Sequence, residues 1–173
     1  RLLCAHWFAP HHIVPLVEVV GGPAASAEAF NMTVSLLRAV GKRPVVMHKF
    51  VPGFIANRIM MAMADAAEEL IDSGASTPED IDYAIKTSVG MRLGVVGIFQ
   101  SLDFNGLDLI AGDRKLEDLP SYLRSKVEAG DLGIKTGRGF YEYDSQIQAL
   151  RKRDLSYLAV LQALEAVSYT HLR

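Results

Sequence analysis

Residues 13–47 carry a strand–helix–strand pattern, and this pattern limits the possible folds more than any other part of the sequence. Ile13 to Val20 (IVPLVEVV) is rich in β-branched residues and ends at a Gly-Gly-Pro turn, which is typical of a buried strand. Ser26 is a suitable N-cap for a helix that ends at Gly41, and Pro44 to Met47 reads as a second short strand. Strands joined through a helix at this length lie parallel, so the sequence predicts a βαβ unit.

After residue 53 the pattern changes to helical periodicity. Apolar residues recur at helical spacing from Ile55 to Ile71. Thr77 and Pro78 then provide a capping hydroxyl and a proline at the first position of another helix. Further helices are predicted over residues 101–110, 119–129 and 147–167, with a glycine-rich loop at 130–139. From about residue 51 onward we therefore expect a structure that is almost entirely helical.

The composition excludes several classes of protein. Of the 173 residues, 50% are hydrophobic and 22% are charged, so the chain can build a core and is not intrinsically disordered. A formal net charge of −2 leaves no basic excess, and we expect no nucleic-acid partner. The single cysteine, Cys4, excludes a disulfide framework and fits a reducing compartment, so we expect a cytoplasmic protein.

Neither a membrane partner nor a metal is expected. The longest apolar stretch, Ile55 to Leu70, is interrupted by charged residues, whereas a spanning helix needs about 20 mostly apolar residues. His11 and His12 are adjacent, so their side chains point apart, and no other group has the spacing of zinc ligands.

The residues that carry chemistry lie near the beginning of the chain. Glu18 sits inside the apolar strand LVEVV, where a carboxylate is costly unless it has a partner. His6 precedes it by twelve residues, and two neighbouring parallel strands could bring these side chains together. A His–Glu pair fixes the tautomer of the imidazole and makes a general base. The alternative is that Glu18 lies on an exposed strand face and that His6 is an ordinary core histidine.

Five segments, in order, resemble the 3-hydroxyacyl-CoA dehydrogenase family. They are HWFAPHHIVPLVEVV at residues 6–20, GKRPV at 41–45, PGFIANR at 52–58, the stretch from residue 80 to 108 with its D-I-D and G-L-D triplets, and GIKTGRGFY at 133–141. Each motif alone is modest, but together they cover most of residues 4–143. The resemblance includes the wider branch of 3-hydroxy acid dehydrogenases and lambda-crystallin-like proteins.

The resemblance implies an α/β remnant followed by an all-α part. Residues 1–50 would be the C-terminal remnant of an NAD-binding Rossmann domain, namely the last βαβ of its sheet. Residues 51–165 would be the helical C-terminal domain, which contributes to substrate binding and makes a homodimer. Residues 166–173 have no counterpart in the family pattern, so they are either a frayed natural end or non-native sequence.

The resemblance also assigns roles to three residues. His6 would be the general base on the substrate 3-hydroxyl, and Glu18 would orient it while a hydride passes to NAD⁺. Asn57 would match the family asparagine that contacts the substrate near the reacting carbonyl. Its alternative role is that of an ordinary polar residue at the start of a helix.

Two departures from the family pattern bear on activity. Ala9 stands where the family has an asparagine beside the base, so the nicotinamide or the imidazole would be held less firmly. No strand followed by G-x-G-x-x-G occurs in the sequence. We therefore expect a fragment that lacks the dinucleotide-binding half, with most of the NAD site absent and no activity on its own.

The expected substrate is a 3-hydroxyacyl-CoA or a related 3-hydroxy acid. The PLVEV strand and the extended terminal helix resemble the wider branch more than the core fatty-acid enzymes. The alternative function is that of a non-catalytic module, either a helical dimerisation domain or a crystallin-like structural protein.

Overall fold

The computed structural model describes residues 2–170, which divide into two units between Ser76 and Thr77. The first unit contains three strands and two helices: β1 (Leu3–Trp7), β2 (Leu16–Gly21), α1 (Ala27–Ala39), β3 (Arg43–Met47) and α2 (Ala56–Asp72). The strands form one sheet in the order β1-β2-β3.

The prediction that this region is only the last βαβ of a Rossmann-type sheet is wrong. Strands β2 and β3 are parallel and joined through α1, as the pattern predicts, but β1 runs antiparallel to β2. The eight residues 8–15 that join β1 to β2 are too few for a parallel crossover, which needs about a dozen or more. The region is therefore a mixed three-stranded sheet followed by helices.

Alternation along β2 places its side chains on two faces of the sheet. Val17 and Val19 are fully buried and pack with Val34 and Leu37 of α1. Glu18 lies between these valines in sequence, so it points to the opposite face. The Ser26 side chain caps α1 by accepting a hydrogen bond from the Ala29 amide, as the sequence predicts.

The second unit is built from short helices and one long helix. They are α3 (Pro78–Ala84), continued by a π-helical segment (Ile85–Val89), α4 (Gly90–Leu93), α5 (Ile98–Asn105), α6 (Leu107–Ala111), α7 (Ser121–Glu128) and α8 (Gln146–Thr170). Its core contains four buried residues: Leu107, Ala111, Leu119 and Leu123.

Two local predictions for the second unit differ from the structure. The helix expected over residues 101–110 is two helices, because Gly106 has a φ of 97° and interrupts the run. Helix α8 continues to Thr170, beyond its predicted end. Residues 171–173 of the predicted tail lie outside the described residues. Within residues 2–170, every helix is too short or too polar to cross a membrane.

Candidate active site

Glu18 is buried in the first unit, with 1% of its side chain exposed, and both of its carboxylate oxygens have partners. Its Oε2 lies 3.0 Å from the Nδ1 of His6, which is its cross-strand neighbour. Its Oε1 accepts hydrogen bonds from the backbone amides of Ile55 and Ala56, each at 3.0 Å. The structure thus brings His6 and Glu18 together as predicted, through an antiparallel pair of strands instead of a parallel one.

Glu18 also completes the N-terminus of α2. The residue in the N-cap position, Ile55, has no side chain that could accept a hydrogen bond, and Glu18 supplies the acceptor from β2 instead. A carboxylate is favourable here because the first amides of a helix are unpaired and carry partial positive charge. One side chain therefore fixes both the imidazole and the beginning of α2.

The hydrogen bond to Glu18 determines which ring nitrogen of His6 is available for chemistry. An ionised carboxylate can only accept, which assigns the proton of the neutral imidazole to Nδ1 and leaves the lone pair on Nε2. The faces of the imidazole are covered by aromatic rings. Phe54 stacks on it with a centroid separation of 4.3 Å and an interplanar angle of 20°, and Phe8 meets it at 4.6 Å and 65°. A quarter of the His6 side chain, 25%, remains exposed.

The turn before α2 has an unusual backbone. Phe54 has a φ of 54° and is the one non-glycine residue with a positive φ in the described part of the chain, and Gly53 before it has a φ of 78°. For a bulky residue this conformation costs about 1 kcal/mol. No role for Phe54 or Phe8 was predicted from the sequence. The feature that could have indicated one for Phe54 is an aromatic residue between a glycine and the start of a helix.

Asn57 follows directly after Ala56, whose amide binds Glu18. It lies in the first turn of α2, is exposed, and its side chain makes no hydrogen bond to other described residues. Its amide is therefore free for a ligand. Ala9 is also exposed, in the loop between β1 and β2.

The loop that carries Ala9 is held by Lys42. The ammonium group donates to the carbonyl oxygens of His11 and Val14 and lies 5.3 Å from the centre of the Trp7 ring. These contacts fix the chain that leaves β1 shortly after His6. They give the loop a defined conformation although it has no secondary structure.

A second buried carboxylate, Asp103 of α5, lies in the second unit and is fully inaccessible to solvent. Its Oδ1 accepts from the amide of Phe140 at 2.9 Å, and its Oδ2 accepts from the amide of Tyr141 at 2.9 Å and the hydroxyl of Tyr143 at 3.0 Å. Burial, followed by the hydrogen bond to Asp103, raises the pKa of Tyr143 above its ordinary value of 10.0. A Cβ atom at Gly139 would lie 2.2 Å from Oδ1, so this approach requires glycine. The motif 133–141 is thus held in place by a carboxylate for which the sequence predicted no role.

The second unit also contains a cavity of about 500 Å³. Its lining includes Phe104, Tyr143, Gln148 and Lys152, and none of the predicted site residues. The lining charges of Lys152 and Arg153 are balanced by Glu142 and Asp144, so the cavity favours neither anions nor cations. Among residues 2–170, no cluster of three or more His, Cys, Asp or Glu side chains could hold a metal ion. The His6–Glu18 pair is the stronger candidate because its geometry leaves a partly exposed base.

Two family models match most of the chain. Residues 1–50 match the NAD binding domain of 3-hydroxyacyl-CoA dehydrogenase, and residues 53–143 match the C-terminal domain of the same family. The first match includes β1 and begins at residue 1, so this region is NAD-binding domain and more than the final βαβ unit that the sequence predicted.

Individual relatives agree with these matches. A 5-formyl-3-hydroxy-2-methylpyridine 4-carboxylate 5-dehydrogenase from Mesorhizobium japonicum is 33% identical over 95% of this chain and 57% of its own length. An L-carnitine dehydrogenase from Pseudomonas putida is 34% identical over 99% of this chain and 56% of its own. The crystal structure of a 3-hydroxyacyl-CoA dehydrogenase from Archaeoglobus fulgidus superposes with a TM-score of 0.80 at 30% identity, over 94% of this chain and 59% of that one.

The chain spans somewhat more than half the length of these relatives. Residues 1–50 and 53–143 nevertheless match consecutive domains of one family, whose cofactor is NAD. The chain belongs to the 3-hydroxyacyl-CoA dehydrogenase family.

Proposed function

We propose that the protein is an NAD-dependent dehydrogenase that oxidises the 3-hydroxyl of a 3-hydroxyacyl-CoA, or of a related 3-hydroxy acid, to the keto product. The observation that carries this proposal is the 3.0 Å contact between His6 Nδ1 and Glu18 Oε2, which leaves Nε2 as a proton acceptor. The ring is partly exposed, as a base that meets a substrate must be.

The chemistry of the pair follows from its hydrogen bonds. Nε2 of His6 takes the proton of the 3-hydroxyl, the C–O bond becomes a carbonyl, and the hydrogen at C3 leaves with its electron pair. Bound NAD⁺ supplies the acceptor for that hydride. The positive charge that develops on the imidazole is stabilised by the Glu18 carboxylate, which is already aligned with Nδ1. These residues fit such a cofactor, because the protein has only to supply a base and positioning beside it.

Asn57 is proposed to bind the substrate. Its unpaired amide lies one residue beyond the segment whose backbone binds Glu18, so it is tied to the same group as the base. The relatives support both branches of the proposed substrate class, since they include an L-carnitine dehydrogenase from Pseudomonas putida and a probable 3-hydroxybutyryl-CoA dehydrogenase from Bacillus subtilis.

The test is the substitution His6→Ala in the protein expressed from its complete reading frame. Formation of NADH from 3-hydroxybutyryl-CoA and from carnitine is expected in the wild type and is expected to fall about 10²–10⁴-fold in the variant, which is the usual contribution of a general base. His12→Ala is the control, because His12 is exposed and lies outside the pair. A loss below about tenfold would show that His6 is not the base. Absence of turnover by the wild type on any 3-hydroxy acid would favour the non-catalytic module.

We propose further that the protein forms a homodimer through its helical part and is located in the cytoplasm. No side chain of helix α2 is fully buried, and Met60 and Met61 are 62% and 59% exposed. Exposed apolar side chains in such a cluster are typical of an interface. Sedimentation should show a dimer that Met60→Glu weakens. The exposed, unpaired Cys4 fits a reducing compartment, which localisation of a tagged protein would check.

A further inference from the structure

We propose that Phe54 is a positioning residue for the His6 base, and that the turn before α2 sets the orientation of the whole His–Glu pair. This inference rests on the proposed function of His6. It adds that the position of Nε2 depends on a side chain that neither accepts nor donates a proton.

The turn contacts the pair at two points. The ring of Phe54 lies almost parallel to the imidazole, at 20° and 4.3 Å, and so determines the plane of the imidazole. The two residues that follow, Ile55 and Ala56, donate their amides to Glu18 Oε1 and so determine the place of its other oxygen. Together these contacts fix both the plane of the ring and the direction of its Nδ1–H bond.

The backbone of Phe54 makes both contacts possible. A left-handed residue followed by a right-handed one turns successive amides toward the same side, which forms a concave binding site for an anion. Phe54 has a φ of 54°, and Ile55 has φ and ψ of −88° and −58°. Glycine would adopt the first conformation at lower cost, so backbone geometry alone does not explain a phenylalanine here. The aromatic ring is the additional feature, and it lies on the imidazole.

Loss of the ring would remove the stacked contact and leave the imidazole held by the edge contact with Phe8 and the hydrogen bond to Glu18, so it could rotate further about its Cβ–Cγ bond. Rotation removes Nδ1 from Glu18 and moves Nε2 away from the substrate hydroxyl. A displacement of about 1 Å at a reacting group can lower turnover about a hundredfold. The Phe54 ring has no group that could hydrogen-bond a ligand, and it stacks on the imidazole, so we expect the Michaelis constants to change little.

The experiment compares three substitutions in the protein expressed from its complete reading frame. Phe54→Leu removes the aromatic face, Phe54→Gly removes it while relieving the left-handed backbone, and Phe54→Tyr retains it. We expect kcat to fall about 10–100-fold in both Phe54→Leu and Phe54→Gly, with KM within about threefold, and Phe54→Tyr to recover most of the loss. Phe99→Leu, an exposed aromatic of the second unit, is the control for loss of a ring. Wild-type kcat in Phe54→Gly would overturn the proposal, because the ring would then be dispensable.

A second readout does not depend on turnover. The ¹⁵N spectrum of the histidine side chains, recorded without substrate, should show His6 with its proton on Nδ1 in the wild type and in Phe54→Tyr. In Phe54→Leu and Phe54→Gly the same resonances should shift to a mixture of tautomers. An unchanged spectrum in these two variants would overturn the role of Phe54. If His6→Ala retains activity while the spectra change as expected, the general base is wrong and the positioning contact remains.

Discussion

Among residues 2–170, each of the two units contains one buried carboxylate, and both carboxylates bind backbone amides of a distant segment. Glu18 accepts hydrogen bonds from two consecutive backbone amides that lie 37 and 38 residues further along the chain. Asp103 also accepts from two consecutive amides at 37 and 38 residues beyond itself. In both units the carboxylate therefore ties a distant segment to its own strand or helix.

The third partner distinguishes the two carboxylates. Glu18 binds the imidazole of His6, a ring that can take up a proton at Nε2 and that is partly exposed. Asp103 binds the phenol of Tyr143, whose raised pKa keeps it a hydrogen-bond donor. A buried carboxylate thus orients a candidate base in one unit, and in the other it joins two distant segments and stabilises the fold. A buried carboxylate is informative about function only when its partner is known.

Asp103→Ala should give the largest effect on stability. The substitution leaves two buried amides and one hydroxyl without an acceptor, and each unpaired group costs about 1–3 kcal/mol, so a loss of about 4 kcal/mol is expected. Urea denaturation measures it. Asp108→Ala is the control, because Asp108 is an exposed carboxylate paired with Lys135. Equal losses of unfolding free energy in both variants would show that Asp103 has no special role in stabilising the fold.

Glu18→Gln should mainly affect turnover. The amide can still accept from the α2 backbone, but it no longer provides an anion for the protonated imidazole. We expect kcat to fall about a hundredfold, equivalent to about 2.7 kcal/mol in the barrier. Steady-state kinetics with Glu68→Gln, an exposed glutamate of α2, provides the control. A variant that loses stability but retains its kcat would show that Glu18, like Asp103, has a structural role only.

Tyr143→Phe should give the smallest effect, and one that depends on pH. The raised pKa of Tyr143 means that the folded state holds its proton after the unfolded state has lost it. Its stabilising contribution is therefore complete below pH 10.0, the ordinary pKa, and declines as the pH rises through the higher folded value. In urea denaturation, the difference in unfolding free energy between the wild type and Tyr143→Phe should therefore become smaller as the pH rises above 10.0. A difference that is constant up to strongly alkaline pH would contradict the assigned contact.

Local signals in the sequence predicted several elements. The caps at Ser26 and Thr77 and the α1 crossover follow from local rules, and the structure contains them. A carboxylate in an apolar strand favours a partner, but the spacing of His6 and Glu18 alone left two alternatives open, and the resemblance to the family favoured the pair.

Most of the missed features depend on tertiary contacts. The antiparallel course of β1 is different, because it follows from the short connection at 8–15, whose length can be read from the sequence once β1 and β2 are located. Phe54 and Asp103 act through segments far away in sequence or through a backbone angle, and no periodicity reports these. The sequence segments that contain Phe54 and Asp103 could be recognised, but the contacts that these two residues make could not be predicted from them.

The double attachment of Glu18 has a consequence for ligand binding. Because one carboxylate holds both the imidazole and the first amides of α2, a ligand that orders the first turn of this helix also stabilises the aligned ring. By thermodynamic reciprocity, a ligand that engages the ring raises affinity at the helix by the same factor. Under the proposed function, substrate binding at the first turn of α2 and alignment of the His6 imidazole would therefore be linked through the Glu18 side chain.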